Sequence, residues 1–272
     1  MKAAALFCFV ALAMTCLGAP AARAQWQQVP DRSLRRASDG TPDLAAPTPK
    51  RDGRPDLSGV WLPDTDPLPT GEQTVEGDLE FPRHMINFAA DLKEEDVQLQ
   101  PWAAELLKTR LEDSGGLDPA AHCKPLGLPL LNTTPLPYKI VETPGLVLVL
   151  YEGDTVFRQI FLDGRKPVED AVPRFMGYST GKWQGDTFVV DTVGFHDRNF
   201  IDAMGHPHSD KLHLVERFRR PDLGHLEIEM TIDDPGAYLK PLTYTVNASL
   251  LPDTDLLEYF CAENEKDAPH YR

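Results

Sequence analysis

From Tyr138 onward the chain alternates short apolar–polar runs with tight turns, and no other feature narrows its fold so far. Segments 139–142, 146–152, 155–162, 176–183, 186–193, 211–220, 225–232, 242–248 and 256–261 carry the β-branched and aromatic residues of strands. Pro144-Gly145, Gly153-Asp154, Gln184-Gly185-Asp186 and Asp222-Leu223-Gly224 separate neighbouring runs by so few residues that hairpins must join them. Consecutive hairpins make an antiparallel meander, and a long meander closes into a barrel or rolls into a sandwich, of which the barrel is preferred here. The expected fold is therefore mainly β, an antiparallel meander closing into a β-barrel. Upstream, a short strand-like piece spans 57–61. One helix is expected over 101–111, with Pro101 at its start, Trp102, Leu106, Leu107 and Leu111 in one apolar stripe, and Ser114-Gly115-Gly116 at its end. The proline-rich stretch 125–137 reads as an extended crossing loop, and everything before 138 should plug or cover one barrel end.

The N-terminus reads as a targeting segment. Lys2 precedes an apolar run from Ala3 to Leu17, and Ala22-Arg23-Ala24 is a small-x-small cleavage site, so residues 1–24 are expected to be a signal peptide and the product periplasmic or secreted. Removing Lys2 and Arg23 takes the formal charge from −15 to −17. A chain this acidic repels nucleic acid and anionic membrane surfaces, so neither is an expected partner. Cleavage also leaves Cys123 and Cys261 as the remaining cysteines, and two cysteines in an exported protein are expected to form a disulfide. Residues 25–56 contain DGTPDLAAPTPKRDGRPD (39–56), which has almost no large apolar residue and reads as a flexible arm. A single barrel domain, 57–272, follows it.

Strand alternation places two charges on apolar faces. Along 211–220, Glu216 shares a side with Leu212, Leu214 and Phe218; along 155–162, Arg158 shares a side with Val156 and Ile160. Either the two line a cavity, each needing a partner, or they pair with each other as a structural ion pair or lie on an outer face.

Several strings taken together resemble a family of exported bacterial proteins that is largely uncharacterised: PDLSGVW (55–61), FLDGR (161–165), GYSTGKWQGDT (177–187), VDTVGF (190–195), His208-Ser209, ERFRR (216–220) and CAEN (261–264). The resemblance covers most of the chain from Pro55 and implies export and one β-rich domain, without implying a reaction. Gly59-Val60-Trp61 and Gly181-Lys182-Trp183 are also similar to the Gly-x-Trp of lipocalin-like barrels, in which the tryptophan packs the closed end.

Chemistry is expected at the longest break in the meander, GFHDRNFIDAMGHPHSD (194–210), which holds three of the eight histidines beside Asp197, Arg198, Asp202 and Asp210. His196 is the candidate general base, Asp197 its orienting carboxylate, and His208 an acid or substrate donor. Arg158 or Arg165 would hold developing negative charge, and Glu216, Tyr178 and Phe195 would complete substrate binding. His206-Pro207-His208 offers an alternative metal pair. No nucleophile elbow, P-loop, H-E-x-x-H or dinucleotide-binding glycine loop occurs, so no cofactor is implied. These residues point to an exported enzyme of lyase, hydratase or isomerase type, acting on a small, partly apolar molecule in a barrel cavity. A non-catalytic lipocalin-like carrier of a hydrophobic ligand and a metal-dependent barrel enzyme are the alternatives. Substrate and oligomeric state stay open.

Overall fold

A computed structural model describes residues 30–31, 34–64, 88, 92–113, 116–167 and 172–259. Two short strands, β1 (Lys50–Arg51) and β2 (Arg54–Pro55), form a small hairpin. The body is a closed barrel of β3 (Gly59–Pro63), β4 (Tyr138–Thr143), β5 (Leu146–Tyr151), β6 (Phe157–Phe161), β7 (Tyr178–Gln184), β8 (Thr187–Val193), β9 (His213–Arg219), β10 (His225–Asp233) and β11 (Leu242–Leu250). The strands follow one another around the ring in chain order, and β11 closes on β3. The expected mainly β barrel is present.

Two details differ from expectation. The closing strand is the short piece β3, whereas 256–259 is not a strand; the rest of that expected segment, Cys261 included, lies outside the described residues. The ring is also not wholly antiparallel, because β6 and β7 pair in parallel while the other eight joints are antiparallel. Parity requires this. Alternating strand directions close a ring only when the strand number is even, and a ring of nine must contain a like-directed pair. The chain meets that requirement at the link 162–177, after which β7 enters beside the end of β6, with Ser179 against Ile160 and Thr180 against Phe161.

The barrel has a short-turn end and a loop end. At the short-turn end, Trp61 is fully buried and its indole N–H donates to the Leu57 carbonyl at 3.0 Å. The Arg220 guanidinium lies 4.7 Å above that ring and donates to the carbonyls of Asp56, Ser58, Asp222 and Leu223. Burial pulls Arg220 down to about 10, against the pull of Asp56, Asp222 and Glu142. Trp61 of the Gly-x-Trp string thus closes one end, while Trp183 of the second string is only half-buried, against Phe188.

Segment 34–56 is not a free arm. Ala46 is buried, the N–H groups of Leu223 and Gly224 donate to the carbonyls of Ala46 and Leu44, and Arg36 pairs with Asp253. Backbone pairing, which needs no large side chain, is what a composition-based reading overlooks. Residues 1–29, with the expected signal peptide, lie outside the described residues.

Helix α1 (Pro101–Glu112) forms where expected but does not bury the expected stripe: Trp102 is 46% and Leu111 51% exposed. Its buried contact is Ala103, and Arg110 reaches inward, lying 4.3 Å over Phe200 and donating to the Gly205 carbonyl at 2.7 Å. Trp102 lies along the surface instead, its indole N–H donating to Gly236 O at 2.8 Å. The crossing segment plugs the loop end as expected, with Leu128, Leu130, Leu131, Asn132, Thr133 and Thr134 all buried.

Candidate functional site

Inside the barrel, the alternation read from sequence holds: Arg158 and Glu216 both face inward and are almost wholly buried. They pair with each other. Arg158 Nη1 donates to Glu216 Oε1 at 3.0 Å and Nη2 donates to Oε2, a two-pronged contact across the interior. The remaining guanidinium N–H groups reach Ser179 Oγ at 2.9 Å and Thr192 Oγ1 at 2.7 Å, and these two hydroxyls meet at 3.0 Å. Asn132, delivered by the plug, donates to Glu216 Oε1 at 2.8 Å and accepts from Tyr151 OH at 2.6 Å. Two buried charges are tolerable here because every prong has a partner. The same packing leaves the hydroxyls of Tyr138 and Tyr244 buried without a hydrogen bond, and burial pushes both phenols well up. Arg158 and Glu216 are therefore engaged with each other, and neither is free to hold a substrate.

The parallel joint opens the wall beside this network. It consists of two pairs, Ile160↔Ser179 and Phe161↔Thr180. Above them β6 and the segment entering β7 splay apart around a cleft of about 360 Å³. Phe157, Phe161, Phe175, Met176 and Tyr178 give it apolar walls, Arg158 and Ser179 line it from the network, and Arg174 stands at its lip. The cleft thus lies at the seam, not on the barrel axis.

Each wall is fixed. Phe161 and Tyr178 stack at 5.4 Å. The Phe175 carbonyl accepts from Leu128 N–H at 3.2 Å and from Asn199 Nδ2 at 3.3 Å, tying it to both the plug and the histidine loop. Gly127 makes this possible: a Cβ there would fall 1.8 Å from Asn199 Nδ2, and its φ of +70° suits glycine. Arg174 is held by its backbone, through Arg174 N–H to Gly194 O and His196 N–H to Arg174 O, both at 3.0 Å. Its side chain is exposed and pairs with no carboxylate among the described residues.

The structure distributes the expected catalytic residues unevenly. His196 stacks flat on Phe175, at 5.3 Å and 10°, so it backs the cleft wall, and its Nδ1 lies 3.4 Å from Asp197 Oδ1. The expected base and its carboxylate are therefore adjacent. The Arg198 N–H also donates toward the same Nδ1, at 3.3 Å, so it competes with Asp197 for that nitrogen. His208 is elsewhere: it is buried edge-on to Phe195, with Nδ1 on the Ser209 carbonyl at 2.9 Å and Nε2 unpartnered. No hydrogen bond joins it to His196 or Asp197 among the described residues. Burial lowers its pKa despite Asp234 and Asp197, which keeps the ring neutral and ill suited to act as an acid.

His206 is bound to Asp202 Oδ2 at 2.8 Å, and that buried carboxylate also accepts from the N–H groups of Phe88, Met204 and His206. Asp202 is an anchor for the loop. Among the described residues, no group of three or more His, Cys, Asp or Glu side chains is placed to hold a metal ion, so His206 and His208 lack the further ligand that the metal alternative requires. Phe195 is core, packed under Gly177. Arg165 is exposed, bound to Asp163 and lying 4.0 Å over the Phe161 ring at the outer edge of the cleft.

No protein-family model, no curated protein and no solved structure matches the chain.

Proposed function

We propose that the chain is an exported binding protein that captures a small, partly apolar anion in the β6–β7 seam. The observation that carries this reading is the Arg174 guanidinium, which pairs with no carboxylate among the described residues, at the lip of an aromatic-walled cleft in a protein whose formal charge is −15. Aromatic walls with one placed polar group are the usual make-up of a small-molecule site. Burying about 200 Å² of apolar ligand surface against them contributes about 5 kcal/mol, which corresponds to a dissociation constant on the order of 200 µM. The cation supplies preference for an anion over a neutral molecule of the same shape.

The test titrates two fluorescent probes, the anionic 8-anilinonaphthalene-1-sulfonate and the neutral N-phenyl-1-naphthylamine. Arg174→Gln should weaken the sulfonate about fivefold and leave the neutral probe unchanged, and Phe175→Ala should weaken both. Equal sulfonate binding by the wild type and both variants would remove the seam as the site.

One observation favours a second, catalytic reading, namely the His196 ring stacked on the cleft wall beside Asp197. In that reading His196 is the base of a cofactor-independent lyase, hydratase or isomerase. His196→Ala would then reduce turnover a hundred- to ten-thousand-fold while leaving probe binding intact.

A further inference from the structure

The β5–β6 register says which way the backbone of β6 faces. Tyr151 N–H donates to Val156 O at 2.9 Å and Leu162 N–H to Gly145 O at 3.0 Å, so the hydrogen-bonded partners on this ladder are 151 with 156, 149 with 158, 147 with 160 and 145 with 162. The N–H and C=O groups of Phe157, Gln159 and Phe161 therefore point the other way, toward β7. The two parallel pairs at the seam occupy both groups of Phe161 and the carbonyl of Gln159. Three backbone groups are left over: Phe157 N–H, Phe157 C=O and Gln159 N–H. None has a protein partner among the described residues, and all three edge the cleft.

This is a donor–acceptor–donor row about 7 Å long, the spacing of one two-residue step of strand. Exposed edges of this kind are templates for another strand, and natural proteins usually cover them. No described residue covers the row, and the residues that carry it are exposed, Phe157 at 58% and Gln159 beside it. Side-chain room lies on both sides of the row, with the Phe161–Tyr178 stack at one end and Phe175 and Met176 opposite. The Arg174 guanidinium, which pairs with no carboxylate among the described residues, offers a partner for a carboxylate at the lip.

We infer that the seam is a strand-addition site for a short, apolar, extended peptide of two to three residues ending in a free carboxylate. Its main chain pairs with Phe157 and Gln159, its side chains rest on the aromatic walls, and its carboxylate meets Arg174. This assignment rests on the seam being the ligand site and names the class of anion it takes.

The probe is acetyl-Val-Phe-Leu as the free acid, followed by calorimetry and by displacement of 8-anilinonaphthalene-1-sulfonate. The same peptide is tested as its C-terminal amide and with the central amide N-methylated. The free acid should bind, the C-terminal amide about fivefold more weakly, and the N-methylated peptide at least about tenfold more weakly. Gln159→Pro removes the edge N–H without touching a β5 hydrogen bond, and should cost the peptide about tenfold while Gln159→Ala stays within about twofold. If Gln159→Pro fails to fold, the N-methylated peptide decides alone. Undiminished binding of the N-methylated peptide overturns strand addition. So does absence of peptide binding while the sulfonate still saturates the cleft, a result that leaves the anion reading standing. Loss of both probes ends both assignments.

Discussion

The guanidinium of Arg158 on β6 and the carboxylate of Glu216 on β9 meet fork to fork across the barrel interior, three joints apart around the ring. The plug is tied into the same contact, because Asn132 reaches Glu216 from the proline-rich segment. Strand packing, end closure and the floor of the seam cleft therefore share one polar cluster.

Replacing one partner should be far worse than replacing both. Glu216→Gln strands a buried guanidinium and is expected to cost about 3–5 kcal/mol, whereas the double variant Arg158→Met, Glu216→Leu should recover most of that loss. Urea unfolding midpoints of the two single variants and the double variant measure the difference. A double variant as unstable as the sum of the singles would contradict it.

Gly127→Ala should act at a distance from its own small side chain. The added methyl group would overlap the Asn199 amide and come within 2.7 Å of the Phe175 carbonyl, at a backbone angle that disfavours alanine. A loss of about 2–4 kcal/mol is expected, together with weaker probe binding as Phe175 shifts. Thermal melts and a sulfonate titration of the same preparation report both effects.

Trimming the chain to begin at Pro55 should lower its stability by roughly 2 kcal/mol, since Leu44 and Ala46 leave the surface of the β9–β10 hairpin. The bonds from Leu223 and Gly224 are lost at the same time. An unchanged melting temperature after trimming would mean that segment 34–54 contributes nothing to the fold.

His208 gives stability a pH dependence of known sign. Its pKa is lowered in the fold by burial from the ordinary 6.5, so below that value the unfolded chain takes up a proton that the folded chain resists. The contribution is present above pH 6.5 and is lost as pH falls toward the lowered folded value. Melting temperatures at pH 7.5 and 5.5 should therefore differ less for His208→Gln than for the wild type.

Residue patterning made the barrel legible and left its seam hidden. Period-two alternation placed Arg158 and Glu216 on inner faces correctly, because a strand fixes the direction of each side chain regardless of its partner. Hairpin signals such as Gln184-Gly185-Asp186 located the turns for the same local reason. Asn132 carried no comparable signal: it sits in a short helical turn among prolines, and its role comes from being carried into the barrel by the plug. Trp102 misled because helical periodicity identifies a face without saying what is there to cover it. The seam depends on how many strands close the ring, and β3, only five residues long, supplies the count that makes it odd. His196 and Asp197 were legible as neighbours, but nothing local distinguished His196, on the cleft wall, from His208, in the core.

A ring of spins in which every neighbour wishes to be opposed is frustrated whenever its membership is odd: the mismatch can travel, but it cannot vanish. The barrel is in the same position. Substitutions along β6 or β7 can reshape the cleft, change its charge or fill it, yet none can abolish the mismatched joint, since that would take a strand gained or lost. A lineage carrying this fold inherits a defect in its wall as a matter of arithmetic, and selection acts only on what the defect admits.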